Sequence, residues 1–89
     1  MRAIVTVMGI DRTGIIAKVS DCLYRHGVNV LDINQTNMQN IFTMIMLVEL
    51  GGEEKNSAAL GGQLESLGKE IGVDIRMQNE DIFNSMHRI

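Results

Sequence analysis

The alternation of apolar and polar side chains predicts four strands along this chain. Residues 2–8 and 41–50 carry apolar side chains at both parities, which is typical of strands that are covered on both faces and lie centrally in a sheet. Residues 73–78 instead alternate strictly, because Val73, Ile75 and Met77 are separated by polar side chains. This last pattern predicts an edge strand with one buried and one solvated face.

The remaining strand begins at Val28, and its alternation changes phase partway along. Val28 and Val30 share one parity, whereas Leu31 and Ile33 share the other. A phase change inside a strand predicts a β-bulge, which redirects the side chains that follow it. Beyond Ile33 both faces are polar, which favours an edge position, and a hairpin turn is expected over residues 38–40 with Asn40 at positive φ.

Helical spacing of apolar residues predicts two longer helices. The first covers residues 14–26, with Thr13 as its N-cap and Gly27 just beyond its end. The second starts at residue 56 or 57 and runs to residue 71, with Gly72 as its stop and three glycines inside it. Since each interior glycine costs about 1 kcal/mol relative to alanine, this helix must depend on tertiary packing, and small residues let it approach the sheet closely. The apolar stripes are Ile15, Ile16, Val19, Cys22 and Leu23 in the first helix, and Leu60, Leu64, Leu67 and Ile71 in the second.

The spacing of apolar residues over the C-terminal residues 80–89 predicts a third, short helix, with Asn79 before it as its N-cap. Its apolar side chains Ile82, Phe83, Met86 and Ile89 fall on one face. A helix of this length is marginal alone, so it is expected to dock on this subunit or on a partner.

The predicted order β-α-β-β-α-β indicates an α+β, ferredoxin-like fold, an antiparallel sheet with both helices on one face. The 89 residues form one expected domain, 1–89, with the core at 1–79 and the C-terminal helix at 80–89. Because helices cover only one face of such a sheet, apolar groups of the two central strands remain exposed on the other. That surface predicts a homodimer, most simply one with two-fold symmetry.

Composition narrows the possible partners. Aromatic residues make up 3% of the chain and the net charge is −3, which disfavours nucleic acid. The longest apolar stretch, residues 41–48, falls far short of the ~20 residues of a membrane helix, and no signal peptide is expected at the N-terminus. The single cysteine, Cys22, excludes an intramolecular disulfide and fits a reducing cytoplasm.

The junction of the first strand and first helix, residues 9–16, is the main candidate for a small-molecule site, because backbone N–H groups at a helix start can face an anion. The same two glycines also suit a plain tight turn, and both interpretations stay open. Cys22 and His26 have the i,i+4 spacing of a metal pair, but a core thiol is the stronger interpretation and no metal is expected. The two histidines, His26 and His87, support no catalytic constellation, so neither an enzyme nor a cofactor is predicted.

The segment Gly9-x-Asp11-Arg12-x-Gly14-Ile15-Ile16-Ala17-x-Val19-Ser20 in a βαββαβ chain resembles the ACT domain, a regulatory amino-acid-binding module. The loop is similar to the ACT repeats of the glycine cleavage system repressor. Segments 31–36 and 42–44 and the ending 80–89 resemble a family of short stand-alone ACT proteins of bacteria and archaea, mostly uncharacterised.

What this resemblance implies is a ligand site at the loop after the first strand and at the start of the second strand, often across a dimer interface. The residues it implies are Gly9, Asp11, Arg12, Thr13, Gly14, Ile15 and Asn29. The chain departs from many amino-acid-binding members at Asp11 and Thr13, where those carry Asn and Pro. Asp11 repels a carboxylate but can hold an ammonium group.

The sequence therefore predicts a non-catalytic regulatory module that homodimerises and binds a small amino-acid-like effector. Its output would be a changed contact with a client enzyme or regulator. The alternative is an interaction module that dimerises without any ligand.

Overall fold

A computed structural model describes residues 2–10, 13–51 and 54–80 of the chain. It contains the six predicted elements in the predicted order: β1 (Arg2–Ile10), α1 (Ile15–Arg25), β2 (Val28–Met38), β3 (Ile41–Leu50), α2 (Glu54–Ile71) and β4 (Val73–Asn79). The predicted helix over residues 80–89 lies outside the described residues, apart from Glu80.

The sheet has the strand order β2-β3-β1-β4, and all three pairings are antiparallel. The two strands with two apolar faces, β1 and β3, are central, and β2 and β4 are the edges. The ferredoxin-like α+β fold is confirmed. Among the described residues no helix is long and apolar enough to cross a membrane.

One core lies between the sheet and the two helices. Its buried side chains alternate along β1 and β3 and recur at helical spacing in α1 and α2: Ala3, Val5, Val7, Phe42, Met44, Met46, Val48, Ile15, Val19, Leu23, Leu60 and Leu64. The other side of the sheet, which we call the open face, presents the opposite parity of the same strands: Ile4, Thr6, Met8 and Ile10 from β1, and Ile41, Thr43, Ile45 and Leu47 from β3. This face has no helix over it within the described chain.

The predicted bulge in β2 is confirmed. The register against β3 shifts between Val30 and Asp32, so Leu31 is the extra residue. Asp32 Oδ1 accepts a hydrogen bond from the Ile33 backbone N–H at 2.8 Å, which closes the bulge locally. As a result, Val30 and Ile33 lie on the helix side of the sheet although their spacing is odd.

Two local predictions were wrong. Thr13 is not the N-cap of α1: Gly14 occupies that position with φ 89°, a left-handed conformation that glycine adopts without steric cost. In the β2–β3 hairpin the positive φ, 57°, falls on Gln39 rather than on Asn40. Since β2 continues to Met38 and β3 begins at Ile41, the turn has two residues, and the first of them carries the positive φ.

The glycine stops and the close helix–sheet approach are confirmed. Gly27 and Gly72 end α1 and α2 with φ 68° and 77°. A Cβ atom on Gly68 would lie 2.6 Å from the carbonyl oxygen of Val73, so α2 meets the start of β4 at a distance that only glycine permits.

Candidate functional site

Most of the predicted site residues lie at the end of β1 and the start of α1. They differ in how they pack and in how far they are buried. Gly9 lies at the end of β1, where an added Cβ would stand 2.7 Å from Val73 Cγ1. A tight packing requirement therefore explains this glycine. Asp11 and Arg12 lie outside the described residues. Thr13 is exposed, whereas Ile15 is buried in the core.

The start of α1 presents polar backbone N–H groups at this junction. Gly14 provides no side-chain cap, and the described first turn holds no acidic residue. The first intrahelical bond runs from the Lys18 N–H to the Gly14 carbonyl at 3.0 Å. The N–H groups before Lys18 have no intrahelical acceptor, and the helix dipole adds partial positive charge there. The start of α1 is therefore suited to receive a carboxylate oxygen.

An open cavity of about 430 Å³ lies beside this helix start, between α1 and the uncovered edge strand β2. Its lining combines aliphatic and aromatic groups with two side-chain amides: Gly14, Ile15, Ile16, Ala17, Phe42, Gln35 and Asn37. A cavity of this size and character fits a small polar molecule with an apolar part. A second cavity of about 250 Å³ lies on the other side of Gly14, toward the end of α2, where Lys18 and Glu70 face it.

Gln35 and Asn37 were not among the predicted site residues. They lie opposite Met44 and Phe42 of β3, which point into the core, so both amides are on the helix side of the sheet. The signal was present in the sequence, because both residues share the parity of Ile33 after the phase change. Placing that parity on the helix side, however, required the observed register.

Asn29 lies at the opposite end of the molecule. It pairs with Glu49, which in turn pairs with Arg2, whereas the cavity is at the Ile10 end of the sheet. The cavity residues Gln35 and Asn37 lie at the register of Val7 and Gly9, five and seven residue steps from Arg2 along β1, or roughly 17 and 23 Å at the usual strand rise. One chain therefore does not bring Asn29 to the cavity, and a site that includes both needs a second subunit.

Cys22 and His26 lie elsewhere, in a groove of about 350 Å³ between α1 and α2. The His26 Nδ1–H donates to the Cys22 carbonyl oxygen at 2.9 Å. Burial raises the pKa of the Cys22 thiol above its ordinary value of 9.0, and the Asp21 carboxylate raises it further. Within residues 2–10, 13–51 and 54–80, no three His, Cys, Asp or Glu side chains come together as a metal site.

Comparison with known proteins supports the resemblance that the sequence shows. A family model described as ACT domain matches residues 2–78. A UPF0237 protein of Bifidobacterium longum is 51% identical over 88 residues, which cover 99% of this chain and 98% of that protein.

Two solved structures have the same fold. An ACT domain protein from Streptococcus pneumoniae superposes with a TM-score of 0.82 at 36% identity, covering 93% of both chains. A protein named as a glycine cleavage system transcriptional repressor has a TM-score of 0.77 at 26% identity, over 86% of this chain and 44% of its own. With the fold, the helix-start loop and these similarities in agreement, the chain belongs to the ACT domain family.

Proposed function

We propose that this protein is a non-catalytic regulatory module that homodimerises and binds a small amino-acid-like effector between the β1–α1 junction and β2. The observation that carries the proposal is the α1 start without a side-chain cap, which borders the same cavity as the amides of Gln35 and Asn37. The name of the similar repressor supports a regulatory role.

Each part of an amino acid has a suitable partner in this arrangement. The α-carboxylate is placed at the first-turn N–H groups of α1. The Gln35 and Asn37 amides offer donors and acceptors for a polar group, and Phe42 and Ile16 offer apolar contact. Asp11 is proposed to hold the ammonium group. Amide and aliphatic groups of this kind bind a molecule rather than transfer its protons, which supports a binding role over a catalytic one.

The homodimer is proposed to form through the open face. Met8, Ile10 and Ile41 are 55%, 57% and 47% exposed on its loop end, which is unusual for large apolar side chains clustered on one surface. Burial of each is worth roughly 1.5–3 kcal/mol. We expect Ile41→Glu to shift the protein to monomer in sedimentation, while the control Tyr24→Glu, at an exposed position of α1 outside this face, leaves the dimer intact. A monomeric native protein at micromolar concentration would contradict the dimer.

Thermal unfolding in the presence of single amino acids tests the effector site. A ligand at 100 times its Kd adds about 2.7 kcal/mol, which for a domain of this size raises Tm by roughly 10–20 °C. Asn37→Ala and Asp11→Ala are expected to abolish the shift. Thr36→Ala is the matched control, because Thr36 neighbours Asn37 but lies on the open face. No shift with any amino acid would refute the effector proposal.

The second candidate is an interaction module without a ligand, and the apolar open face favours it. Its partner would be a client enzyme or regulator. The sedimentation and thermal-unfolding experiments distinguish the two candidate functions. A dimer that shows no thermal shift with any amino acid supports the interaction module. A thermal shift that Asn37→Ala abolishes supports the effector module.

A further inference from the structure

The side chains of the open face form rows, because paired residues of neighbouring strands lie side by side. On the central strands there are five such rows, which we number from the Arg2 end: Arg2–Glu49, Ile4–Leu47, Thr6–Ile45, Met8–Thr43 and Ile10–Ile41. The first row consists of two opposite charges, whereas the fifth row consists of two isoleucines. The central strands of the open face are therefore charged at one end and apolar at the other.

The edge strands add three charges to these rows. Asp32 of β2 lies in the second row, and Arg76 and Asp74 of β4 lie in the third and fourth rows. Arg76 Nε contacts Asp74 Oδ2 at 3.1 Å, so these two charges are paired within the chain. The other β2 side chains that pair into these rows are uncharged: Asn29, Asn34, Thr36 and Met38.

A second copy can cover the whole face in two ways that keep the strands aligned, as strands are when two sheets pack face to face. Both arrangements are two-fold symmetric. With the axis along the strands, each row lies over the same row of the partner, and β1 lies over the partner's β3. With the axis across the strands, the order of the rows is reversed, and the first row lies over the partner's fifth.

The axis along the strands brings opposite charges together and apolar groups together. In the first row, Arg2 lies over the partner's Glu49, and Glu49 lies over the partner's Arg2. In the second and fifth rows, isoleucine lies over leucine or isoleucine. Because the two-fold operation repeats every contact, each favourable pair occurs twice.

The edge strands are compatible with the same axis. The partner's β2 lies over β4, so that Asp74 meets the partner's Thr36 and Arg76 meets the partner's Asn34. The partner's Asp32 is one row from Arg76 and has the opposite charge. Among the described residues of these rows, no two like charges face each other.

The axis across the strands produces unfavourable contacts. It places the charged first row on the partner's Ile10 and Ile41, where apolar groups face both charges. It also places each strand over its own copy, so that Arg76 in the third row lies over the partner's Arg76. Burying a charge against apolar groups is costly, and like charges that meet across an interface repel. Charge therefore selects the axis along the strands.

The size of the face requires contact along its whole length. β1 has nine residues, a length of roughly 27 Å, and four strands side by side are about 19 Å wide. The projected area is about 500 Å² on each chain, or about 1,000 Å² for the pair, which is close to the lower limit for a specific interface. A dimer that used the apolar end alone would bury about half as much. The charged first row must therefore lie inside the contact.

Both charged groups of the first row are free to meet a second chain. Arg2 Nε contacts Glu80 Oε2 at 2.9 Å, and the guanidinium has further N–H donors on its other nitrogens. Glu49 is exposed and has no ion-pair partner among the described residues. The carboxylate of Glu49 can therefore accept from a guanidinium of the partner.

We propose that the two chains pack open face to open face with the two-fold axis along the strands, so that Arg2 of each subunit pairs with the partner's Glu49. This orientation rests on the proposed homodimer, to which it adds the direction of the axis and a charged contact. The cavity beside α1 lies on the helix side of the sheet, so it stays open in both subunits.

Crosslinking of single thiols tests the orientation. In a Cys22→Ser background, Ile10→Cys gives each chain one thiol in the fifth row. In the proposed dimer the two Cα atoms lie about 11 Å apart, since the sheets stack at about 10 Å and the two β1 strands are offset by one strand spacing. With the axis across the strands they lie roughly 28 Å apart. A short bismaleimide joins the first pair and does not reach across the second.

We expect Ile10→Cys to yield at least about tenfold more covalent dimer than Tyr24→Cys, because thiols held together react at a millimolar effective concentration. Tyr24→Cys is the matched control for chance collisions, since Tyr24 is exposed on α1 outside the open face. Ile4→Cys, in the second row, is the second variant in case Ile10→Cys unfolds the protein. Circular dichroism checks that each variant remains folded.

Charge reversal tests the contact between Arg2 and the partner's Glu49. Glu49→Arg puts like charges together at both symmetry-related contacts, so it is expected to raise the Kd of the dimer about tenfold in sedimentation. Glu65→Arg makes the same change of charge at an exposed position of α2. This control is expected to leave the Kd within about twofold of its original value.

Three results would overturn the proposal. Covalent dimer from a mixture of Ile10→Cys and Arg2→Cys chains, but not from Ile10→Cys alone, would show the axis across the strands in a homodimer that still forms. An unchanged Kd for Glu49→Arg would remove the charged contact. A native chain that sediments as a monomer would refute the homodimer itself, and the orientation with it.

Discussion

Gly68 is the position at which a small change should have the clearest effect on stability. It lies in the last turns of α2, against the start of β4. A Cβ at this position would stand 2.6 Å from the Val73 carbonyl oxygen and 3.3 Å from Ile75 Cγ1, where ordinary contacts begin at 3.4 Å. Because the nearest atom belongs to the backbone of a strand paired with β1, it cannot rotate away, and α2 itself must move.

The expected cost of Gly68→Ala follows from two opposing terms. Alanine improves helix propensity by about 1 kcal/mol. Overpacking costs about 1–3 kcal/mol, and a rigid backbone neighbour favours the upper end of that range. The net effect is a loss of about 1–2 kcal/mol in the free energy of unfolding, or roughly 5–15 °C in Tm.

Gly62→Ala is the matched control in the same helix. No atom lies within 4 Å of the Cβ that this substitution adds, so only the propensity term remains, and stability should rise by about 1 kcal/mol. Equilibrium unfolding in urea, with equal m values, measures both variants. If Gly68→Ala stabilised the protein as much as Gly62→Ala does, the close approach of α2 to β4 would not be real.

Two further predictions concern single side chains. Gln39→Gly should stabilise the protein by about 1 kcal/mol in urea unfolding, because glycine adopts the φ of 57° at no steric cost; an equal gain from Asn40→Gly would contradict the assigned turn. Since burial and Asp21 both raise the pKa of the Cys22 thiol, its alkylation at pH 8 should be slower than that of free cysteine. Asp21→Asn should lower that pKa and speed the reaction, and a pH–rate profile that does not move would refute the role of Asp21.

Most of the fold could be predicted from the sequence because its signals are local. The phase change between Val30 and Leu31 indicated the bulge, and the glycines after each helix indicated its end. The errors at Thr13 and Gln39 are local too. In both cases one residue adopts a left-handed conformation, and the choice between neighbours at a turn is decided by small energy differences that the residue types alone do not fix.

The candidate site was predicted less completely. The start of α1 was predicted one residue early, since Gly14 is its cap and not its first residue. Gln35 and Asn37 reach the cavity only because the register of β2 against β3 turns them toward the helices. Asn29, implied by family resemblance, lies at the far end of the sheet within one chain. Such relations depend on pairings between residues distant in sequence, and periodicity carries no information about them.

The sequence by itself determined the order of the elements, the central place of the two strands with two apolar faces, and the apolar surface that a single chain leaves exposed. These follow from the spacing of apolar side chains, which fixes how much surface each element must bury. Only the tertiary structure decided which parity faces the helices, why Gly9 and Gly68 must be glycine, and which side chains gather at the start of α1. Those features arise where separate elements meet, and the distance between two backbones is set by the packing of the whole domain.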